Sequence, residues 1–246
     1  MKLTLSNPKY FKDGVTIISD IVTEATFRIE ENSLDVVAMD PANVAMVSFS
    51  LLASSFTTYE KTDASSFTIN LNNLKQVLRR IKSSDTLTLE LDENTLQITL
   101  QSASKRVFHL PLIEAEDSSQ KVPSLSFAVT VNTSSSVFND AVDDVDVVGE
   151  SVSFSASENL FTVSSKGDLS KATVDIPTDT VTSVTCSDES AQAKYSIEYL
   201  KKMMQGSKLS DKVIIKFSKD YPLRLEYTVQ DHVDMSFILA PRVDND

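Results

Sequence analysis

Four aspartates crowd the stretch NDAVDDVDVV at 139–148: Asp140, Asp143, Asp144 and Asp146. Hard cations take carboxylate oxygens as ligands. Asp140, Asp143 and Asp144 on one helix face would therefore suit a metal-dependent enzyme. The same spacing also describes a solvated acidic face, with Val137, Phe138, Ala141, Val142 and Val145 on the buried side, and no second ligand set is visible. Other reactive side chains are few. His109 and His232 are the only histidines, and His109 sits in an alternating strand pattern that fits packing or surface. Cys186, the single cysteine, lies in VTCSDES with no evident base to activate it. There is no GxxxxGK[ST], GxGxxG or HExxH, and four glycines are too few for a phosphate-cradling loop. Neither cofactor nor metal is expected, and the chain does not read as an enzyme.

A second chemistry lies in the cations. The segment LKQVLRRIKSSDTLTLEL at 74–91 places Lys75, Arg79 and Lys82 at i, i+4 and i+7, with Arg80 beside them. Leu71, Leu74, Val77, Leu78 and Ile81 form an apolar helix face next to that stripe. The segment returns without a gap as LKKMMQGSKLSDKVIIKF at 200–217, which carries Lys201, Lys202 and Lys208. Further correspondences keep the same order: LQITL (96–100) with LRLEY (223–227), HLP (109–111) with LAP (239–241), and FRIEENSLDVVAMD (27–40) with FSASENLFTVSSKGD (154–168). One unit is present twice, roughly at 1–113 and 126–246.

Each copy reads as strand, helix, two or more strands, a second helix, then several strands. The first helix starts near Asn7-Pro8, with Asn as N-cap and Pro at the first helical position. Phe11, Val15, Ile18, Ile21 and Val22 recur at helical spacing, and Gly14 inside costs about 1 kcal/mol against Ala. TLTLEL after Ser84, LQITLQ (96–101) and SVSFSAS (151–157) alternate with period two. Single helices between runs of strands predict an α+β fold of antiparallel sheets with helices on one face. The stretch IEAEDSSQKVPSL (113–125) reads as an extended surface linker, and VDND is a short acidic tail.

Hydrophobic content is 41% and net charge is −12, which argues against a generic nucleic-acid binder unless the cations are concentrated in one place. No eighteen-residue apolar run predicts a membrane helix. MKLTLSNPKY is unlike a secretory signal, and one cysteine suits a reducing compartment, so an intracellular protein is expected.

The residues LAPRV (239–243), AMDPANVAMV (38–47), the Glu24-Ala25 pair closing the first helix, YPLRLEY (221–227), the 74–91 segment and Val122-Pro123 occur together in one order. In these the chain resembles the proliferating cell nuclear antigen family, the sliding DNA clamps, in its archaeal form. The resemblance spans essentially the whole chain. It implies two similar clamp domains, 1–113 and 126–246, joined by a connector at 114–125. Three subunits would close head to tail, with helices lining a central hole and sheets outside.

The resemblance places Lys9, Lys12, Lys75, Arg79, Arg80, Lys82, Lys201, Lys202 and Lys208 toward double-stranded DNA, for contact with phosphates and without base readout. It pairs the strand 105–110 (Lys105, Val107, His109, Leu110) of one subunit with 173–176 (Thr173, Val174, Ile176) of the next. It implies a pocket for short Gln-containing peptides of DNA polymerase, flap endonuclease and DNA ligase. That pocket would use Met39, Asn43, Val44, Met46, Val122, Pro123, Phe127, Pro222, Ile238, Ala240 and Pro241. Loading would need a separate ATP-driven clamp loader. A cytoplasmic, nucleoid-associated protein is implied for an archaeon and a nuclear one for a eukaryote. The helix near 134–148 departs from the family in having no Lys or Arg. A homotrimer and a heterotrimer with paralogous, more basic subunits therefore both stand.

Overall fold

The structure, a computed structural model, describes residues 1–61, 66–92, 94–114, 120–188 and 191–242. The middle of the connector (115–119) and the tail (243–246) lie outside these. The chain forms two compact units, and each holds a short piece of the other half of the sequence. The first comprises 1–41, 47–122 and 229–235; the second comprises 42–46, 123–228 and 236–246.

Strands β1 (Lys2–Leu5), β2 (Glu24–Ile29), β3 (Ser33–Met39), β4 (Ala45–Leu52), β5 (Thr58–Glu60), β6 (Ser66–Asn70), β7 (Thr86–Asp92), β8 (Thr95–Gln101) and β9 (Lys105–Pro111) belong to the first copy. So do helices α1 (Lys9–Ile18) and α2 (Leu71–Leu78). The second copy holds β10 (Val129–Ser134), β11 (Ser151–Ser157), β12 (Leu160–Lys166), β13 (Lys171–Pro177), β14 (Ser183–Cys186), β15 (Gln192–Ser196), β16 (Lys212–Phe217), β17 (Leu223–Val229) and β18 (Val233–Leu239). Its helices are α3 (Ser135–Asp146) and α4 (Ile197–Met203), the latter running into a 3₁₀ turn at Met204–Lys208. The expected order of strand, helix, strands, helix, strands is found in both copies.

In the first unit the sheet order β5-β1-β7-β8-β9 stands beside a ladder β4-β3-β2-β6. In the second, β13-β12-β11-β15 stands beside β14-β10-β16-β17. Pairing is antiparallel: Leu89 faces Ile98, and Ile98 faces Phe108. The period-two pattern sets this register, because Leu87, Leu89, Leu96, Ile98 and Leu100 must share the buried face. Phe11, Val15 and Ile18 of α1 and Leu71, Leu74 and Leu78 of α2 fill the space behind the first unit's sheets. Each such side chain contributes about 2 kcal/mol by leaving water.

Helix starts follow the local chemistry. Asn70 Oδ1 accepts from the Asn73 amide at 3.1 Å, and Ser134 Oγ accepts from the Val137 amide at 3.2 Å. Asn7 Oδ1 accepts from the Lys9 amide at 3.2 Å, with Pro8 at the N-cap of α1. The ends of helices correct several expectations. α1 stops at Ile18; Ile21 and Val22 are buried from the following turn, and Glu24-Ala25 open β2 rather than close the helix. α2 stops at Leu78, leaving Arg79, Arg80 and Lys82 on a turn and not on a helical stripe. Val137 is 39% exposed, so the buried side of α3 is Phe138, Ala141, Val142 and Val145. Gly14 is not merely tolerated: a Cβ there would lie 2.4 Å from the Phe49 ring.

Candidate functional site

The nine cations fall into two groups. Four are committed to carboxylates. Lys9 pairs with Asp13 at 3.2 Å and Lys202 with Glu198 at 3.3 Å, both i,i+4 pairs. Lys75, with its side chain only 17% exposed, reaches Asp20 at 3.0 Å and Ser19 Oγ at 2.8 Å. Lys201 bonds Asp146 and lies 3.8 Å from Asp143, and Asp146 holds its ammonium above the ordinary lysine range. Arg79, Arg80, Lys82 and Lys208 are exposed, and Lys12 is half-buried. The strongest presentation of positive charge in the first unit is therefore the 79–82 turn rather than the helix before it.

The acidic helix does not gather as a cation site. Two of its carboxylates, Asp143 and Asp146, face Lys201 of α4, while Asp140 and Asp144 point to solvent. Among the described residues no group of three or more His, Cys, Asp or Glu is placed to hold a metal ion. Cys186 is half-buried on β14 with its thiol turned to the Ala156 carbonyl at 3.7 Å. His232 stacks on Tyr10 with centroids 5.5 Å apart, and its Nδ1 lies 3.2 Å from Ser55 Oγ. No described helix is long and apolar enough to cross a membrane.

The basic turn is built from below. The Asp85 carboxylate, buried behind it, accepts from the Lys82 amide at 2.6 Å and from Arg106 Nη2. Arg106 Nη1 donates to the Arg80 carbonyl at 2.9 Å. The Lys82 amide and then the Arg106 guanidinium hold the Asp85 carboxyl well below the usual range, at about 2. This cluster was not legible as a site. Its one signal is that Ser84-Asp85 recurs at Ser210-Asp211.

The two strands expected at subunit contacts are both sheet edges. β9 ends the first unit's five-stranded sheet and β13 ends the second unit's four-stranded sheet. Along β9, Lys105, Val107 and His109 are exposed and Leu110 is half-buried; Val107 is 41% exposed. Along β13, Thr173 is exposed, Val174 half-buried and Ile176 buried. Each strand thus has one side with no partner within its sheet, the condition for pairing with another chain.

Of the eleven pocket residues, nine lie in the second unit: Asn43, Val44, Met46, Pro123, Phe127, Pro222, Ile238, Ala240 and Pro241. The Ala240 amide donates to the Val44 carbonyl at 2.9 Å, which joins the 42–46 stretch to the end of β18. The Phe127 ring meets Tyr221, the neighbour of Pro222, edge on at 5.9 Å. Val44, Phe127, Pro222, Ile238, Ala240 and Pro241 are half-buried, Asn43 and Pro123 exposed, and Met46 buried. Asn43 has φ 57°, a left-handed conformation that Asn adopts more readily than most residues, so the backbone accounts for its identity. Met39 and Val122 belong to the first unit, where Met39 lines a groove of about 360 Å³ with Glu24, Arg28 and Glu114.

Comparison with known proteins bears on these features together. Residues 1–118 match the family description "Proliferating cell nuclear antigen, N-terminal domain", and 121–242 match its C-terminal domain. The chain belongs to the proliferating cell nuclear antigen family. It is 33% identical to the DNA polymerase sliding clamp of Thermococcus onnurineus over 246 residues, covering 99% of each chain. The corresponding clamp of Nanoarchaeum equitans is 33% identical over 250 residues, covering 99% of this chain and all of the relative. The crystal structure of proliferating cell nuclear antigen from Thermococcus kodakaraensis superposes with a TM-score of 0.91 at 27% identity, covering 98% of this chain and 99% of that one. Two such domains in order, with antiparallel sheets and few helices, establish the clamp fold.

Proposed function

We propose that this chain is a sliding clamp subunit, a scaffold without chemistry of its own that encircles duplex DNA and holds a polymerase to it. The two family domains, matched in order across 1–118 and 121–242, carry this reading. In it, the domains 1–113 and 126–246, joined by the connector 114–125, repeat three times around a central hole. β9 of one subunit pairs with β13 of the next, so that two unpartnered edges are hidden at each joint. Arg79, Arg80 and Lys82 meet phosphates, with Lys12 and Lys208 in the same role; at Lys9, Lys75, Lys201 and Lys202 carboxylate partners offset part of the charge. Val44, Met46, Phe127, Pro222, Ile238 and Ala240 seat the apolar and aromatic anchors of Gln-containing peptides from polymerase, flap endonuclease and ligase. A separate loader opens the ring. The protein works at the nucleoid in the cytoplasm of an archaeon, or in the nucleus of a eukaryote.

Exposed Asp140 and Asp144 on a helix with no cation favour a second reading, a heterotrimer with more basic paralogues. Light scattering over a concentration series separates the two. Three chains of 27.1 kDa weigh about 81 kDa, the mass expected of a self-sufficient ring. A mass near 27 kDa throughout supports the heterotrimer. A closed dimer near 54 kDa overturns both.

A further inference from the structure

Asp85 and Arg106 have no part in the roles assigned above. The Asp85 side chain is wholly shielded from solvent, at 0% exposure. It bonds the Lys82 amide, and its partner Arg106 bonds the Arg80 carbonyl. Two backbone groups of the basic turn, one on each side of Ile81, are thus fastened through one guanidinium fork. That fork comes from β9, the free edge of the five-stranded sheet. The turn is already closed by the Asp85 amide donating to the Lys82 carbonyl at 3.0 Å and by the Asp85 carboxylate accepting from the Lys82 amide. Burying a charged pair as well carries a desolvation cost, and the geometric result is a tie between the turn and the edge strand.

We propose that Asp85 and Arg106 are positioning residues that lock the basic turn to the subunit-contact strand, so that joining a neighbour at β9 steadies Arg79, Arg80 and Lys82 for phosphate. The inference rests on the clamp reading. Phosphate contacts by long side chains are individually weak and salt-sensitive. They gain most when the backbone beneath them is already fixed, because less freedom is then lost on binding. A ring closed at β9 would hold DNA better than the same cations on an open edge.

Arg106→Lys tests this at constant charge. A lysine reaches Asp85 or the Arg80 carbonyl, but has no fork to reach both. In the full chain, at a temperature where it is folded and its mass unchanged, association with a labelled linear duplex is followed by fluorescence anisotropy against KCl. The slope of log K on log salt should fall by roughly one, as for one lost phosphate contact. An unchanged slope alongside a lowered Tm reduces the pair to a structural role and overturns the proposal. Asp85→Asn gives an independent sign. It adds positive charge beside the turn, so simple attraction predicts tighter DNA binding, whereas loss of positioning predicts weaker binding; tighter binding overturns the proposal. Without any substitution, the Lys82 amide should exchange hydrogen several-fold more slowly in the assembled ring than in diluted subunits, and equal exchange overturns the coupling. The double variant Arg79→Ala, Lys82→Ala is the control. If it leaves the slope unchanged, the DNA face itself is wrong and the tie falls with it. If it lowers the slope while Arg106→Lys does not, only the tie is wrong.

Discussion

Tyr227→Phe should stabilise this protein, against the usual trend for core substitutions. Tyr227 is fully buried on β17, and its hydroxyl has no hydrogen-bond partner among the described residues. Burial pushes the phenol pKa up, as expected where the charged form has nowhere to go. The ring lies against Gly206, where a Cβ would come within 2.3 Å of it, and meets Phe237 edge on at 6.1 Å. Burying a hydroxyl unpaired costs roughly 1–3 kcal/mol on protein scales. Removing it leaves a void the size of one oxygen atom, which at about 24 cal/mol per Å³ takes back roughly 0.5 kcal/mol. The net gain is about 1 kcal/mol, or a rise of about 2–4 °C in Tm for a chain of this size. Tyr195 supplies the opposite sign in the same protein. Its hydroxyl donates to the Tyr221 carbonyl at 2.8 Å. Tyr195→Phe strands that carbonyl and should cost about 1 kcal/mol. Urea unfolding at fixed protein concentration, with unchanged m, reads both. A loss of 1 kcal/mol or more in Tyr227→Phe would refute the argument from an unpaired hydroxyl, as would equal effects in the two variants.

Three further outcomes are expected. Lys75→Ala should leave the salt slope of DNA association almost unchanged, because Asp20 already offsets that charge; a drop of roughly one or more would mean the ion pair opens to phosphate. Ile238→Asp should weaken binding of a Gln-containing partner peptide by about tenfold or more, measured by calorimetric titration, with no change in ring mass; equal affinity would place the pocket elsewhere. The folded-state pKa of Asp85 is depressed to about 2, so its contribution is complete above its unfolded pKa and disappears as pH falls toward 2. The stability gap between wild type and Asp85→Asn should therefore be constant from pH 7 to about 5 and close toward pH 2; a gap that ignores pH would rule out the charged pair as its source.

The sheets were readable because alternation is a local signal. SVSFSAS is β11 residue for residue, and TLTLEL becomes β7 once Asp92 is added. The start of α1 was readable to within one residue, since Asn7-Pro8 marks it, although Pro8 and not Asn7 is the N-cap. Helix ends were not. Apolar spacing continues past Ile18 and Leu78, so the sequence still looks helical where the chain has turned. What holds the chain in its turn after α2 includes the Arg106 guanidinium on the Arg80 carbonyl, a contact 26 residues away that spacing does not encode. The availability of the cations was not readable: Asp20, which pairs with Lys75, lies 55 residues away. The identity of Asn43 has a backbone reason, its positive φ, that residue spacing does not show.

The interleaving of the two units has a consequence for biosynthesis. The first unit includes residues 229–235, which leave the ribosome more than a hundred residues after the rest of it has been made. At roughly 5–20 residues per second that delay is on the order of ten seconds. During it, the surfaces that receive 229–235, around Tyr10, Leu52 and Ser55, stay uncovered on a nascent chain. A message truncated after the connector would leave the first half permanently in that condition, so expressing the halves separately should yield an aggregation-prone N-terminal fragment unless a peptide spanning 229–235 is supplied with it.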